Sequence, residues 1–200
     1  QLIGSSPLEP IQESISSQRA TQFPHMRFPC SFIGPDVPLT RPVTGRDAPD
    51  RYQMLERRQF LSSLLHLPNR ILAVSSEIKY LLEDFEQGVH QFFPIEIMTP
   101  NKSRYPKDYF VMVIGRWLES FSPESSAQSS WERNGSEAYF IIDYRPRMSK
   151  LAFSREKFMG AHLWRERRIS STFLCFSDER ASAIKQSGLR FPKYFRMREV

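Results

Sequence analysis

Apolar positions recur along this 200-residue chain with two different periods. Ile71-Leu72-Ala73-Val74 is a run of strand length, and after Ser75-Ser76-Glu77 the apolar residues Ile78, Leu81, Leu82 and Phe85 fall at helical spacing. Ser75 or Ser76 is placed to cap that helix, and Glu77 sits where its dipole is positive. Glu77, Lys79, Glu83, Asp84 and Glu86 mark the face expected to meet water. Gly88 ends the segment, and Phe93-Pro94 leads into Ile95-Glu96-Ile97. The same order returns near the end of the chain. There Phe173 to Phe176 is followed by Ser177-Asp178-Glu179, a short helical pattern, Gly188, Phe191-Pro192 and an alternating run through Tyr194. The two copies differ by four residues in spacing, which makes a loose repeat of a strand-helix-strand unit.

Other segments complete the plan. Leu61, Leu64 and Leu65 lie at i, i+3 and i+4 behind Asp50, a possible N-cap, and predict a helix over residues 51–66 that Pro68 ends. Tyr109 to Ile114 is strongly β-prone, as is Ala138 to Tyr144, and shorter strands are predicted at Lys150–Phe153 and His162–Arg165. Residues 119–137 are Ser-rich, hold Pro123, Asn134, Gly135 and Trp131, and predict a hairpin-like excursion or a long loop. Strands outnumber helices and few strand pairs are joined by helical crossovers. The fold class is therefore α+β, a mostly antiparallel sheet with a few short helices.

Residues 1–50 carry 8 of the 15 prolines, too closely set for a helix or a central strand. Phe23, Met26, Phe28, Phe32 and Ile33 make this stretch too apolar for a free linker, so an extended arm packed on the body is expected. Residues 51–200 form the expected main domain, divisible into 51–105 and 106–200. A chain of this length buries on the order of 70% of its unfolded surface without staples. Cys30 and Cys175 are far apart, which argues for two reduced thiols and against a redox or metal CxxC site. No apolar run approaches the ~18 residues of a membrane span, and the first residues lack a basic segment followed by an apolar one. A cytoplasmic protein without membrane contact is the expectation.

Charge is unevenly placed. Residues 1–150 hold 17 basic and 17 acidic side chains, so the whole net charge of +6 lies in the last quarter. Arg165-Glu166-Arg167-Arg168 and the series Arg190, Lys193, Arg196, Arg198, interleaved with Trp164, Phe191 and Tyr194, form a basic face that a nucleic acid could use. Glu166 interrupts the first run, however, and at strand period the aromatic residues point away from the charges and into the core. A basic nucleic-acid-binding module is the alternative function, and a protein-contacting face is preferred.

Catalytic patterns are not found. The 8 glycines form no phosphate-binding or dinucleotide motif, and His25, His66, His90 and His162 show no metal-ligand spacing. No nucleophile elbow occurs. Asp178-Glu179 and Glu83-Asp84 are adjacent pairs that point in different directions on a helix, and are better explained as first-turn and solvated acids. Neither an enzyme nor a cofactor is expected.

The order of short motifs nevertheless identifies a family. Ser75-Ser-Glu-Ile-Lys-Tyr-Leu-Leu-Glu83, Gln91-Phe-Phe-Pro-Ile95, Tyr109-Phe-Val-Met-Val113 with Trp117-Leu-Glu119, Phe173-Leu-Cys-Phe-Ser-Asp-Glu179 and Gly188-Leu-Arg-Phe191 together resemble immunity family eleven of bacterial polymorphic toxin systems. The resemblance covers roughly residues 70–197. The chain departs from the pattern in its proline-rich arm and in Ala181, Ser182 and Ala183, which replace a fuller apolar stripe in the last helix. The resemblance implies a non-enzymatic protein that binds a cognate toxin or effector encoded nearby. Trp131, Arg165, Arg167 and Arg168 are the residues expected to anchor that partner, since aromatic and Arg side chains dominate such contacts.

Overall fold

The computed structural model describes residues 2–3, 50–68, 71–135, 138–141, 149–169 and 173–200, and the expected proline-rich arm falls almost wholly outside them. In chain order the strands are β1 (Leu2–Ile3), β2 (Arg51–Gln53), β3 (Leu64–His66), β4 (Leu72–Ser75), β5 (Gln91–Met98), β6 (Tyr109–Val113), β7 (Trp117–Leu118), β8 (Trp131–Asn134), β9 (Ala138–Ile141), β10 (Ala152–Phe153), β11 (Leu163–Glu166), β12 (Leu174–Phe176) and β13 (Arg198–Glu199). Helix α1 (Ser76–Phe85) follows β4, and α2 (Asp178–Gln186) follows β12. This is the expected α+β fold. Most neighbouring strands are antiparallel; β2 with β5, β7 with β11 and β10 with β13 are parallel. The chain divides at Val113 into two compact units, and Gly188–Pro192 belongs with the first.

The first unit is built on a five-stranded sheet in the order β2-β5-β6-β4-β3. Alternation sends Ala73, Ile95, Ile97, Val111 and Val113 to one face, where they join Tyr52, Leu65 and Leu67 in a buried cluster. Helix α1 contacts β4 and β6 and buries Ile78 and Leu82. Fully burying such a side chain contributes about 1.5–3 kcal/mol. Phe85, placed by periodicity on the same stripe, is exposed instead. Two charged positions also differ from the expected water-facing set. Glu86 is buried beside His90, with Oε2 and Nε2 3.2 Å apart. Lys79 is only 19% exposed, because its stem lies against the sheet and its ammonium stands 5.4 Å from the Phe110 ring and 5.7 Å from that of Phe92.

The helix expected over residues 51–66 does not form. Its two ends are strands, β2 against β5 and β3 against β4. Leu61, Ser62, Ser63, Leu64 and Leu65 are all buried, whereas a helix would turn the two serines to solvent. The extended conformation is held by Tyr109, whose hydroxyl donates to the Ser62 carbonyl at 2.9 Å, and by the Leu61 amide, which donates to the Tyr105 hydroxyl at 3.1 Å. Tertiary pairing outweighs local spacing here. Asp50 caps nothing: its carbonyl accepts from the Glu96 amide at 2.8 Å.

The second unit contains a four-stranded sheet, β1-β12-β11-β7, the hairpin β8-β9 and the short pair β10-β13. Phe121, Tyr139, Leu151, Phe153, Trp164, Phe173 and Cys175 share its core. The Ser-rich excursion resolves into a 3-10 turn at Gln128–Ser130 and the first strand of the hairpin, with Trp131 opposite Ile141. Ser177 caps α2 as expected, its hydroxyl accepting from the Arg180 amide at 3.2 Å. Gly188, next after the C-cap Ser187, has φ +65, a conformation that strains any other residue. The strand expected around Tyr194 is absent. That run passes from one unit to the other; Phe195 makes an isolated bridge, and Arg198–Glu199 at its end pairs with β10. Although the two copies match in sequence, β4 and β5 flank β6 in one sheet, whereas β12 and β13 belong to different sheets.

Candidate partner-binding surface

The arginine run begins on β11, whose four residues are all buried. Strand alternation places Trp164 and Glu166 on one face and Leu163 and Arg165 on the other. Arg165 is 8% exposed, and its guanidinium carbon stands 5.9 Å from the centre of the Trp117 ring. That indole belongs to β7, which pairs with β11 at this position.

Glu166 explains why the run is interrupted by an acid. Its Oε2 accepts from the Ser120 amide at 2.9 Å, the Ser120 hydroxyl at 2.6 Å and the Phe121 amide at 3.1 Å, and its Oε1 accepts from the Arg168 amide at 3.1 Å. Burial raises its pKa above the usual carboxylate value, and these four donors work in the opposite direction. Arg168 continues the same network. Its guanidinium donates to the Phe121 carbonyl and to the Tyr139 hydroxyl, each at 3.0 Å, and lies 5.0 Å from the Tyr139 ring centre. Trp131 meets Tyr139 edge-on at 5.1 Å and Phe121 at 6.3 Å.

Of the four residues expected to anchor a partner, the structure brings Trp131 and Arg168 together through their shared neighbours Phe121 and Tyr139, whereas Arg165 lies against Trp117 and Arg167 beside Glu119. Arg165 and Arg168 are engaged with Trp117, Phe121 and Tyr139, and Trp131 is half-buried in the aromatic cluster. Arg167 projects into solvent, with its guanidinium 3.6 Å from Glu119 in an open ion pair. Exposed apolar side chains are a further class that periodicity does not pick out. Among the described residues Met159, Phe60 and Tyr80 are the most exposed large ones, and Val200 and Phe140 are exposed as well. Phe140 lies on β9, where the hairpin turns it outward, opposite Glu132.

Titratable groups elsewhere have structural partners. His162 Nδ1 lies 2.9 Å from the Ser177 hydroxyl and 4.0 Å from Glu179, a trio that superficially resembles a catalytic one. The same ring nitrogen faces both groups, so the imidazole does not link them in series as a general base requires. Ser177 is moreover engaged as a helix cap. The Cys175 thiol is buried, and burial raises its pKa well above the ordinary value. Cys30 and His25 lie outside the described residues. Among the described residues no group of three His, Cys, Asp or Glu could hold a metal ion, and no helix is long and apolar enough to cross a membrane.

The sequence profile of the Immunity protein family (Imm11) matches residues 14–196. The chain belongs to that family of immunity proteins. A comparison with the curated proteins finds no match.

Proposed function

We propose that this protein binds a cognate bacterial toxin in the cytoplasm and blocks it by occupying its surface, protecting the producing cell and its siblings in interbacterial competition. The observation that carries this reading is membership of an immunity family across nearly the whole chain. The His162–Ser177 contact supports it, because Ser177 is engaged as a helix cap and the imidazole faces Ser177 and Glu179 with the same nitrogen, so these described residues do not link a nucleophile to a base. The partner face includes Arg167 as the projecting cation, Trp131 as an aromatic contact, and Arg165 and Arg168 as cations held in place by Trp117 and Tyr139. A rigid, pre-positioned Arg loses less conformational entropy on binding than a free one.

The nucleic-acid alternative fits this face less well. Arg165 and Arg168 already use their guanidinium planes on the protein's own aromatic rings, so stacking on bases would break existing contacts. The test is genetic: the adjacent gene's product, expressed alone, should arrest growth, and co-expression of this protein should restore it. Growth arrest that persists despite abundant soluble protein would sink the proposal.

A further inference from the structure

Strand β7 is the last strand of its sheet, and β11 is its partner there. The Arg116 and Leu118 carbonyls accept from the Arg165 and Arg167 amides at 3.0 and 2.8 Å, so alternation turns the N–H and C=O of Trp117 and Glu119 to the other side. Among the described residues none of these outward groups has a hydrogen-bond partner. The edge therefore presents main-chain donors and acceptors at the spacing of a strand.

The strand itself does little to blunt that edge. Soluble proteins protect such edges with proline, charge, a bulge or a covering element, and Trp117-Leu118 has neither proline nor charge. Both side chains are half-buried, one on each face of the sheet. Leu118 packs against the aromatic core of the second unit, and Trp117 lies on the opposite face beside Arg165. A further strand laid alongside would cover both. Strand β5 differs: where β2 leaves its first half unpaired, it carries Pro94, which has no amide to offer. Charges of both signs flank β7, with Arg116 before it, Glu119 after it and Arg167 3.6 Å from Glu119. The edge thus selects a backbone shape rather than a partner of one charge.

We infer that the toxin binds by strand addition: an extended segment of it pairs with β7 through its main chain, with an apolar side chain beside Leu118 and the alternate residues beside Trp117 and Glu119. An extended segment is the occupant that fits, because the main-chain groups of a helix are already paired within it, and a lone side chain cannot answer alternating donors and acceptors. Arg167 and Glu119 then meet side chains of the added strand, which fixes its register. This inference rests on the immunity reading and extends it from the side chains that meet the partner to the way the two backbones join.

The experiment compares Glu119→Pro with Glu119→Ala in the full chain. Both remove the carboxylate, but only proline also removes the outward amide, which no hydrogen bond of the fold uses, so the two are expected to melt at similar temperatures. Affinity for the purified product of the adjacent gene is expected to be at least tenfold weaker for Glu119→Pro than for Glu119→Ala. Amide hydrogen exchange of the wild-type protein gives a second readout, in which Trp117 and Glu119 exchange at least tenfold more slowly in the complex than alone. That readout decides by itself if Glu119→Pro fails to fold. Equal affinities of the two folded variants, or unprotected amides in a complex that forms, overturn strand addition and leave the immunity reading standing. Absence of binding by wild-type protein overturns both.

Discussion

Glu166 accepts both the amide and the hydroxyl of Ser120 on one carboxylate oxygen, at 2.9 and 2.6 Å. A side chain placed amid three arginines by sequence is thus the internal fastening for the segment that carries Phe121. Replacement by Gln keeps the size but turns an amide NH2 towards a set of donors. Glu166→Gln is expected to destabilise by about 1–3 kcal/mol, which for a chain of this size lowers Tm by about 2–4 °C per kcal/mol. The pH dependence has a definite sign. Burial raises this pKa, so the native state holds the proton more tightly, and the group's contribution to stability is full below 4.5 and declines as pH rises through its raised folded value. Denaturant unfolding of both proteins across that range measures the difference, and parallel profiles would refute the assignment.

Arg167 and Arg168 are neighbours with opposite tasks. Arg168→Ala removes two hydrogen bonds and a ring contact and is expected to cost about 2 kcal/mol, whereas Arg167→Ala removes one open ion pair and should stay within about 0.5 kcal/mol of wild type. Toxin affinity should fall for Arg167→Ala without loss of stability. Equal melting temperatures for the two variants would contradict this division.

Glu77 stands at the start of α1, where the Ser75 hydroxyl, the Lys107 ammonium at 2.9 Å and the helix amide hold its pKa down to about 2 from 4.5. A depressed carboxylate contributes stability above its ordinary pKa and loses it as pH falls through the folded value, so this contribution fades between 4.5 and about 2. Carbon-detected NMR titration should place the midpoint near 2 in the wild type and closer to 4.5 in Lys107→Met. A wild-type midpoint already at the ordinary value is the adverse result.

Ser177→Ala deletes the cap of α2 and is expected to cost about 1 kcal/mol. Ser177→Asp should restore most of it, as read from unfolding midpoints; a neutral Ala variant would mean that the cap contributes nothing.

Much of the fold is legible in the sequence where local and tertiary forces agree. The strand at 72–75, the helix from 76 and the cap at Ser177 follow from apolar spacing and terminal chemistry, and the structure has each of them. Residues 51–66 fail for the opposite reason, since Leu61, Leu64 and Leu65 satisfy a helical period while Tyr105 and Tyr109, more than forty positions away, fix the backbone in an extended form. The arginine run was visible as charge, but the distinction between Arg167 and Arg168 depends on Tyr139 and Phe121, which no local pattern connects to it. The open edge at Trp117 has no local signal either, because β7 becomes the last strand only through its pairing with β11, far along the chain.

The central claim is inhibition by binding, which a titration of toxin activity with this protein tests most directly. The toxin encoded next to it, assayed on its own substrate, should lose activity in proportion to added protein until the two are equimolar. It should regain that activity when the complex is dissociated. Full toxin activity at saturating protein would contradict the account, and so would inactivation by a small fraction of one equivalent.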